Sequence, residues 1–350
     1  MSQAAPDHQS LLALRAYLTG HLATAEPAQV PERFHRQRWN ELHDRGWSAI
    51  LLPAADGGAG GTFRRLAEVA ELIGETLSGT ALVGNAMAHL ALSLSTHGGE
   101  VWDAAVGDTL DGAQLAFIPG AASAGPGRLR LCDGRLHGST PGLPDLAVAD
   151  LLVVIAEDES SHEWAGYLVT AHQPAVVVLP QSPGDSTRVF GSVRFNGVPV
   201  GSANALTDGP LPAHLAHALL LELAATLVGV DAMGGARRYL ADGAAAPASL
   251  LATIAEARAR LDLAVTTASE VVMRALDTGE CDRAARAELA RGASAAAAMA
   301  AAYLALTEPP PVGAAAEGHV RHRYRALQDN ALLEPARAWV NTAPRLFSVG

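Results

Sequence analysis

The side chains best suited to chemistry fall in a few short stretches. His319 and His322 stand three apart in EGHVRH beside Glu317, and His214 and His217 precede Glu222. Imidazole and carboxylate groups can hold zinc or pass protons. Neither stretch has the H-E-x-x-H spacing or a cysteine pair, so capping or surface roles are expected and no metal site is. Four of the five residues from Gly57 to Gly61 are glycine. A dinucleotide turn of the form G-x-G-x-x-G, begun at Gly58 and Gly60, would need glycine where Phe63 stands. All 25 basic residues are arginine, which removes a P-loop lysine, a Schiff-base lysine and a pyridoxal-phosphate anchor together. The cluster is therefore expected to be a corner, where glycine permits positive φ and close approach. No G-x-S-x-G elbow occurs, and Ser, His and Asp are too scattered to nominate a triad.

The elements that must position these groups have three rhythms. Residues 9–106 carry apolar residues at helical spacing, as in LLALRAYLTGHLATA and RFHRQRWNELHDRGW. Thr62 is placed to open a helix that turns Leu66, Val69, Leu72 and Ile73 to one side. From about residue 111 short apolar runs alternate with Gly, Pro, Asp and Ser turns, and Asp133-Gly134 sits between two alternating arms as a hairpin signal. This block, 111–208, reads as an antiparallel sheet unit. After Pro210 and Pro212 long helical patterns return, broken by prolines 309–311. The alanine-rich stretch 293–306 reads as a closely packed helix. The expected organisation is a helical domain over 1–110, a β domain over 111–208 and a helical bundle over 209–350.

With 350 residues, 49% hydrophobic and 5% aromatic, the chain has enough apolar material for a core built mainly from alanine and leucine. A formal net charge of −11 argues against unaided nucleic-acid binding. Cys132 and Cys281 are the only cysteines, so a disulfide framework is not expected and a reducing, cytoplasmic setting is. The run LAHALLLELAATLVGV includes His217 and Glu222 and is shorter than a membrane span, so it is expected to be a buried helix. The N-terminal residues MSQAAPDHQS carry no secretory pattern.

Three patterns in chain order resemble the acyl-CoA dehydrogenase family over nearly the whole chain. GWSAILLPAADGGAGGTFRRLAEVAELIGETL (46–77) is similar to its N-terminal helix corner. GRLHGSTPGLPDLAVADLLVVIAE (134–157) resembles the entry to its middle sheet, with the Ala149-Asp150 step into an apolar strand. PGDSTRVFGSVRFNGVPV (183–200) is similar to its Asp-x-Thr-Arg segment, strand and Val-Pro turn. The resemblance implies a mainly α fold with an inserted antiparallel β domain, in the three-domain acyl-CoA dehydrogenase-like architecture. It further implies FAD, a homo- or hetero-oligomer, and α,β-dehydrogenation of an acyl thioester carried by coenzyme A or a carrier protein. A carboxylate would take the α-proton while the flavin takes the β-hydride. By that resemblance the base is Glu334, nine residues after Arg325 in RALQDNALLEP, with Glu256 the weaker candidate. Arg188 and Thr140 fall among the implied cofactor-binding residues.

The chain also departs from the family pattern. LADGAAAPASLL follows Arg237-Arg238-Tyr239 where the family's Arg-x-Gln-Phe-Gly stretch would contact flavin. The acidic-Pro…Gly-Ser flavin segment is reduced to FIPGAASAGPG, and the Gly-Gly-x-Gly signature is replaced by VGAAAEGHVRHRY. In the tail, Ala326 and Pro335 replace the family's aspartate and glycine. Two alternatives therefore stay open. HRYRALQDNALLEPARAW resembles the C-terminus of flavin-dependent monooxygenases of the same fold, with Leu333 where those carry histidine. The other is a degenerate or repurposed non-redox subunit partnering an active paralogue.

Overall fold

The computed structural model describes residues 8–22, 32–96, 99–120, 128–181, 187–308 and 316–346; the side chains of 11–20, 36–96, 99–120, 128–181, 187–308 and 318–333 are described with them. Among the described residues five helices come first: α1 (His8–Leu22), α2 (Glu32–Asp44), α3 (Phe63–Thr76), α4 (Leu82–Ser95) and α5 (Gly99–Leu110). Thr62 caps α3 by accepting the Arg65 backbone N–H, which satisfies one of the orphan donors of the first turn. The apolar stripe read from sequence is the face α3 buries, with Leu66 and Val69 fully enclosed.

The glycine cluster is a corner. Gly57 ends a short 3-10 turn, Ala54–Asp56, at φ +87°. A Cβ on Gly58 would lie 2.3 Å from the Leu52 carbonyl oxygen, so only glycine lets the chain fold back there. Gly61 and Ala59 then donate to the carbonyls of Ile50 and Ala49. These bonds aim α3 at the core.

Among the described residues nine strands form one sheet: β1 (Leu115–Ile118), β2 (Arg130–Cys132), β3 (Arg135–Ser139), β4 (Leu143–Pro144), β5 (Leu151–Asp158), β6 (Trp164–Thr170), β7 (Val176–Gln181), β8 (Phe190–Pro199) and β9 (Ala205–Leu206). The expected antiparallel unit proves to be mixed. Most neighbours are antiparallel, but β5 pairs in parallel with both β1 and β2. The reason is that β1 enters from α5 in the same direction as β5, and the β2–β3 hairpin intervenes between them in sequence. Asp133 and Gly134 both take positive φ at that hairpin, as its two-residue turn requires. β5 is the sheet's most enclosed strand, Leu151 to Ala156 being buried throughout. At its start Asp150 accepts two bonds from Arg36 of α2 and one from the Gln114 backbone N–H. The Ala-Asp step thus ties the first helices to the sheet.

The second helical part comprises α6 (Ala213–Ala241), α7 (Ala248–Thr278), α8 (Arg283–Leu306) and α9 (Ala316–Leu346). α6 packs on α3, α8 and α9. α6 and α8 are long and apolar enough to cross a bilayer, yet 67% and 61% of their most apolar stretches are buried inside the protein, which marks them as core helices. Small residues set their spacing. A Cβ on Gly234 would lie 2.1 Å from the Glu71 carbonyl oxygen, and one on Gly74 would lie 1.9 Å from that of Asp231. α3 and α6 therefore cross backbone against backbone, and alanines such as Ala296 and Ala300 let α8 approach equally closely.

Candidate functional site

A cavity of about 180 Å³ lies where α4, β1, β4, α6 and α9 converge. Its walls are mostly apolar, from Val83 and Met87 of α4, Phe117 of β1, Leu143 of β4 and Leu221 of α6. An enclosed apolar cleft with a few convergent polar groups is the usual form of a small-molecule site. Here the polar groups are confined to one side: Ser78, Thr80, Asp145, Arg188 and Asp231.

Behind that side lies a buried charge network drawn from four distant parts of the chain. Arg325 of α9 is fully enclosed. Its Nε lies 3.1 Å from Asp231 Oδ1 of α6, and its terminal nitrogens donate to the carbonyls of Thr187, Ile73 and Ser78. Arg188 pairs with the same Asp231 oxygen at 2.7 Å and with Asp329 Oδ1 at 2.8 Å. Asp329 Oδ2 finds no hydrogen-bond donor among the described residues. Asp145 lines the cavity beside this group at 6% exposure. Burial pushes both Asp145 and Asp329 up to about 7, against the pull of Arg188 and Arg325. Two guanidiniums face three carboxyls, so a proton held by one of the three makes the group neutral.

The residues singled out from sequence meet different surroundings. Arg188 stands at the cavity, already engaged by two aspartates. Thr140 is not in the cavity wall; its N–H donates to the Val193 carbonyl and its Oγ1 accepts the Val193 N–H, stitching the chain after β3 to β8. Glu334 lies on α9 two positions after the cavity-lining Leu332, and its side chain falls outside the described residues. Glu256 is exposed on α7 and pairs with Arg260 at 2.7 Å. His322 bonds Tyr303 and His319 bonds Tyr239. The His217 ring lies 4.3 Å from that of Trp164, tilted by 44°, while Glu222 meets Arg286 at 3.4 Å. Among the described residues no three His, Cys, Asp or Glu side chains gather as a metal site. Sequence reasoning missed Asp145, Asp231 and Asp329. The available signal for Asp231 was its place inside the apolar run LVGVDAMGG, where an acid needs a buried partner.

The residues and segments that the family resemblance links to flavin meet the following surroundings. Thr140 Oγ1 accepts from β8, and Arg188 is engaged by its two aspartates. Residues 242–247 of the stretch that replaces Arg-x-Gln-Phe-Gly form a short connection between α6 and α7, and Arg238 in the last turn of α6 pairs with Asp242. Of FIPGAASAGPG, residues 121–127 lie outside the described residues, as do 312–315 of VGAAAEGHVRHRY.

Comparison with known proteins places this architecture. Residues 7–102 match the family model for the acyl-CoA dehydrogenase N-terminal domain. No curated protein sequence matches. Among solved structures, the ChsE4–ChsE5 complex from Mycobacterium tuberculosis aligns with TM-score 0.70 and 19% identity, over 98% of this chain and 97% of that one. Dibenzothiophene monooxygenase from Paenibacillus sp. A11-2 aligns with TM-score 0.63 and 18% identity over 97% of each chain. Methanesulfinate monooxygenase from Pseudomonas fluorescens gives TM-score 0.63 and 15% identity, over 96% of this chain and 97% of that one. The helix corner, the sheet between two helical parts and these alignments agree: the chain is a divergent protein of the acyl-CoA dehydrogenase fold.

Proposed function

We propose that this protein is the acyl-binding subunit of an acyl-CoA dehydrogenase-like assembly. It takes the apolar acyl group of a thioester, on coenzyme A or a carrier protein, and works with a second subunit of the same fold that completes the flavin site. The observation that carries this reading is the cavity: apolar on most sides, with Arg188 and Asp231 of its polar wall already ion-paired within the chain. Apolar walls suit a hydrocarbon chain, because burying it releases about 25 cal/mol per Å² of apolar surface. Arg188, the cation of the polar wall, is committed to two aspartates rather than to a flavin pyrophosphate. A fold neighbour that is itself a complex of two differently named chains fits a paired arrangement. The reaction of the assembly is then α,β-dehydrogenation of the acyl group.

The visible spectrum of the purified protein, with and without added FAD, tests this together with octanoyl-CoA binding by calorimetry. The expected result is a colourless chain that retains no FAD and binds the acyl thioester. About one flavin per chain, bleached by octanoyl-CoA without oxygen, would replace the reading with a self-sufficient dehydrogenase. Flavin that needs a separate reductase and oxygen to turn over would select a monooxygenase.

A further inference from the structure

Asp145 is the one cavity-lining carboxyl for which the described residues supply no hydrogen-bond or ion-pair partner. It follows β4 in the left-handed region at φ +65°, a conformation a non-glycine residue keeps only when its surroundings hold it. Here its N–H donates to the Val189 carbonyl at 2.6 Å and its own carbonyl accepts from Gln114 Nε2 at 3.4 Å. Those bonds set its side chain against α4 at Gly84. A Cβ on Gly84 would lie 3.1 Å from Asp145 Oδ2, so the helix leaves room for the carboxyl by having no side chain there. The charged groups around it are Arg188 ahead of β8, Asp231 of α6, and Arg325 and Asp329 of α9. Each of these four is already paired with another. Asp145 lines the apolar space beside Gly84.

We propose that Asp145 is a catalytic proton acceptor, taking the proton α to the carbonyl of the acyl thioester bound in this cavity. The proposal rests on the acyl-binding reading above and names the group that acts on that ligand. In the step the α-carbon–hydrogen bond breaks and a proton–oxygen bond forms on Asp145. The electron pair left behind spreads onto the thioester carbonyl oxygen as an enolate. Thr80 lines the same wall, and its Oγ1 accepts the Leu82 N–H at 3.4 Å, which leaves its hydroxyl hydrogen to donate to that oxygen. In the absence of an electron acceptor the proton returns to carbon, so the net result is exchange of the α-hydrogen with solvent. A base with a value of about 7 is matched to this task near neutral pH.

The test incubates the full-length protein with octanoyl-CoA in deuterated buffer and measures deuterium at the α-carbon by mass spectrometry. Binding of octanoyl-CoA and the thermal midpoint are measured on the same samples. Wild type is expected to bind and to exchange, with a rate that rises with pH as Asp145 ionises. Asp145→Asn is expected to keep its midpoint and binding while exchange falls about 10²-fold or more. Gly84→Ala, which crowds Oδ2 and leaves the carboxyl in place, is expected to slow exchange while binding persists. Binding without exchange in wild type overturns the proposal, as does exchange at the wild-type rate in Asp145→Asn. Failure of wild type to bind octanoyl-CoA at all overturns the acyl-binding reading itself, and the Asp145 proposal with it.

Discussion

Asp231 Oδ1 accepts from two guanidiniums at once, and it is the hinge pin of the site's electrostatics. Arg188 and Arg325 are thereby committed to holding carboxyls, and the work of meeting a ligand passes to groups with spare capacity. Two carboxyls compete for the proton-accepting role: Glu334, which the family resemblance assigns, and Asp145, which the cavity exposes to a ligand. The deuterium-exchange assay separates them. Glu334→Gln is expected to exchange within about threefold of wild type, against the 10²-fold loss typical of a removed base. The reverse pattern would return the role to Glu334. At this scale the sequence was informative about Arg188 and silent about Asp145. Arg188 lies in a recognisable Asp-x-Thr-Arg segment. Asp145 sits in Gly-Leu-Pro-Asp, whose composition says turn, and its importance comes from Gly84, 61 positions away, which no local pattern connects to it.

Among the elements, the α3–α6 crossing sets the position of the charged wall. Asp231 and Gly234 share one turn of α6, and the carbonyls of Ile73 and Ser78 that receive Arg325 lie at the end of α3. Moving the helices apart would pull acceptor from donor. Gly234→Ala is expected to destabilise the protein by about 1–3 kcal/mol through overpacking, read as a lower urea midpoint, and to weaken octanoyl-CoA binding in parallel. An unchanged midpoint would mean that the crossing yields at little cost. The helices themselves were legible in the sequence because α3 carries its apolar residues on one stripe and Thr62 at its cap. The parallel pairing of β1 and β5 was not, since the alternation of apolar residues along a strand is the same whichever way its neighbour runs.

Across the whole molecule, buried titratable groups set two opposing pH dependences. His89, His217 and His322 are held neutral by burial, at about 3, 4 and 4. The unfolded chain takes up these protons below the ordinary imidazole value near 6.5, so this contribution weakens the fold as pH falls from about 6.5 towards 4. Asp145, Asp329 and Glu222 are raised to about 7 by the same cause. Their contribution is fully present below the ordinary carboxyl range and is lost as pH rises through about 7. The two sets oppose each other between pH 4 and 7. Asp329→Asn removes one of the carboxyls, so its urea midpoint is expected to fall more steeply from pH 7 to pH 4 than that of wild type. Parallel profiles would show that Asp329 keeps its ordinary titration in the folded protein.

The network also fixes an order of events during synthesis. Arg325 bonds the carbonyls of Ile73 and Ser78 across 252 and 247 residues of chain. At 5–20 residues per second, roughly 12–50 s separate the first of these partners from the last. Throughout that interval the end of α3 must keep water on carbonyls that the finished protein encloses, and Asp231, made 94 residues before Arg325, waits for one of its two cations. The cavity can therefore close only when the final helix arrives. A ribosome-bound intermediate should leave this pocket wet and open, with α9 acting as the stopper that seals it.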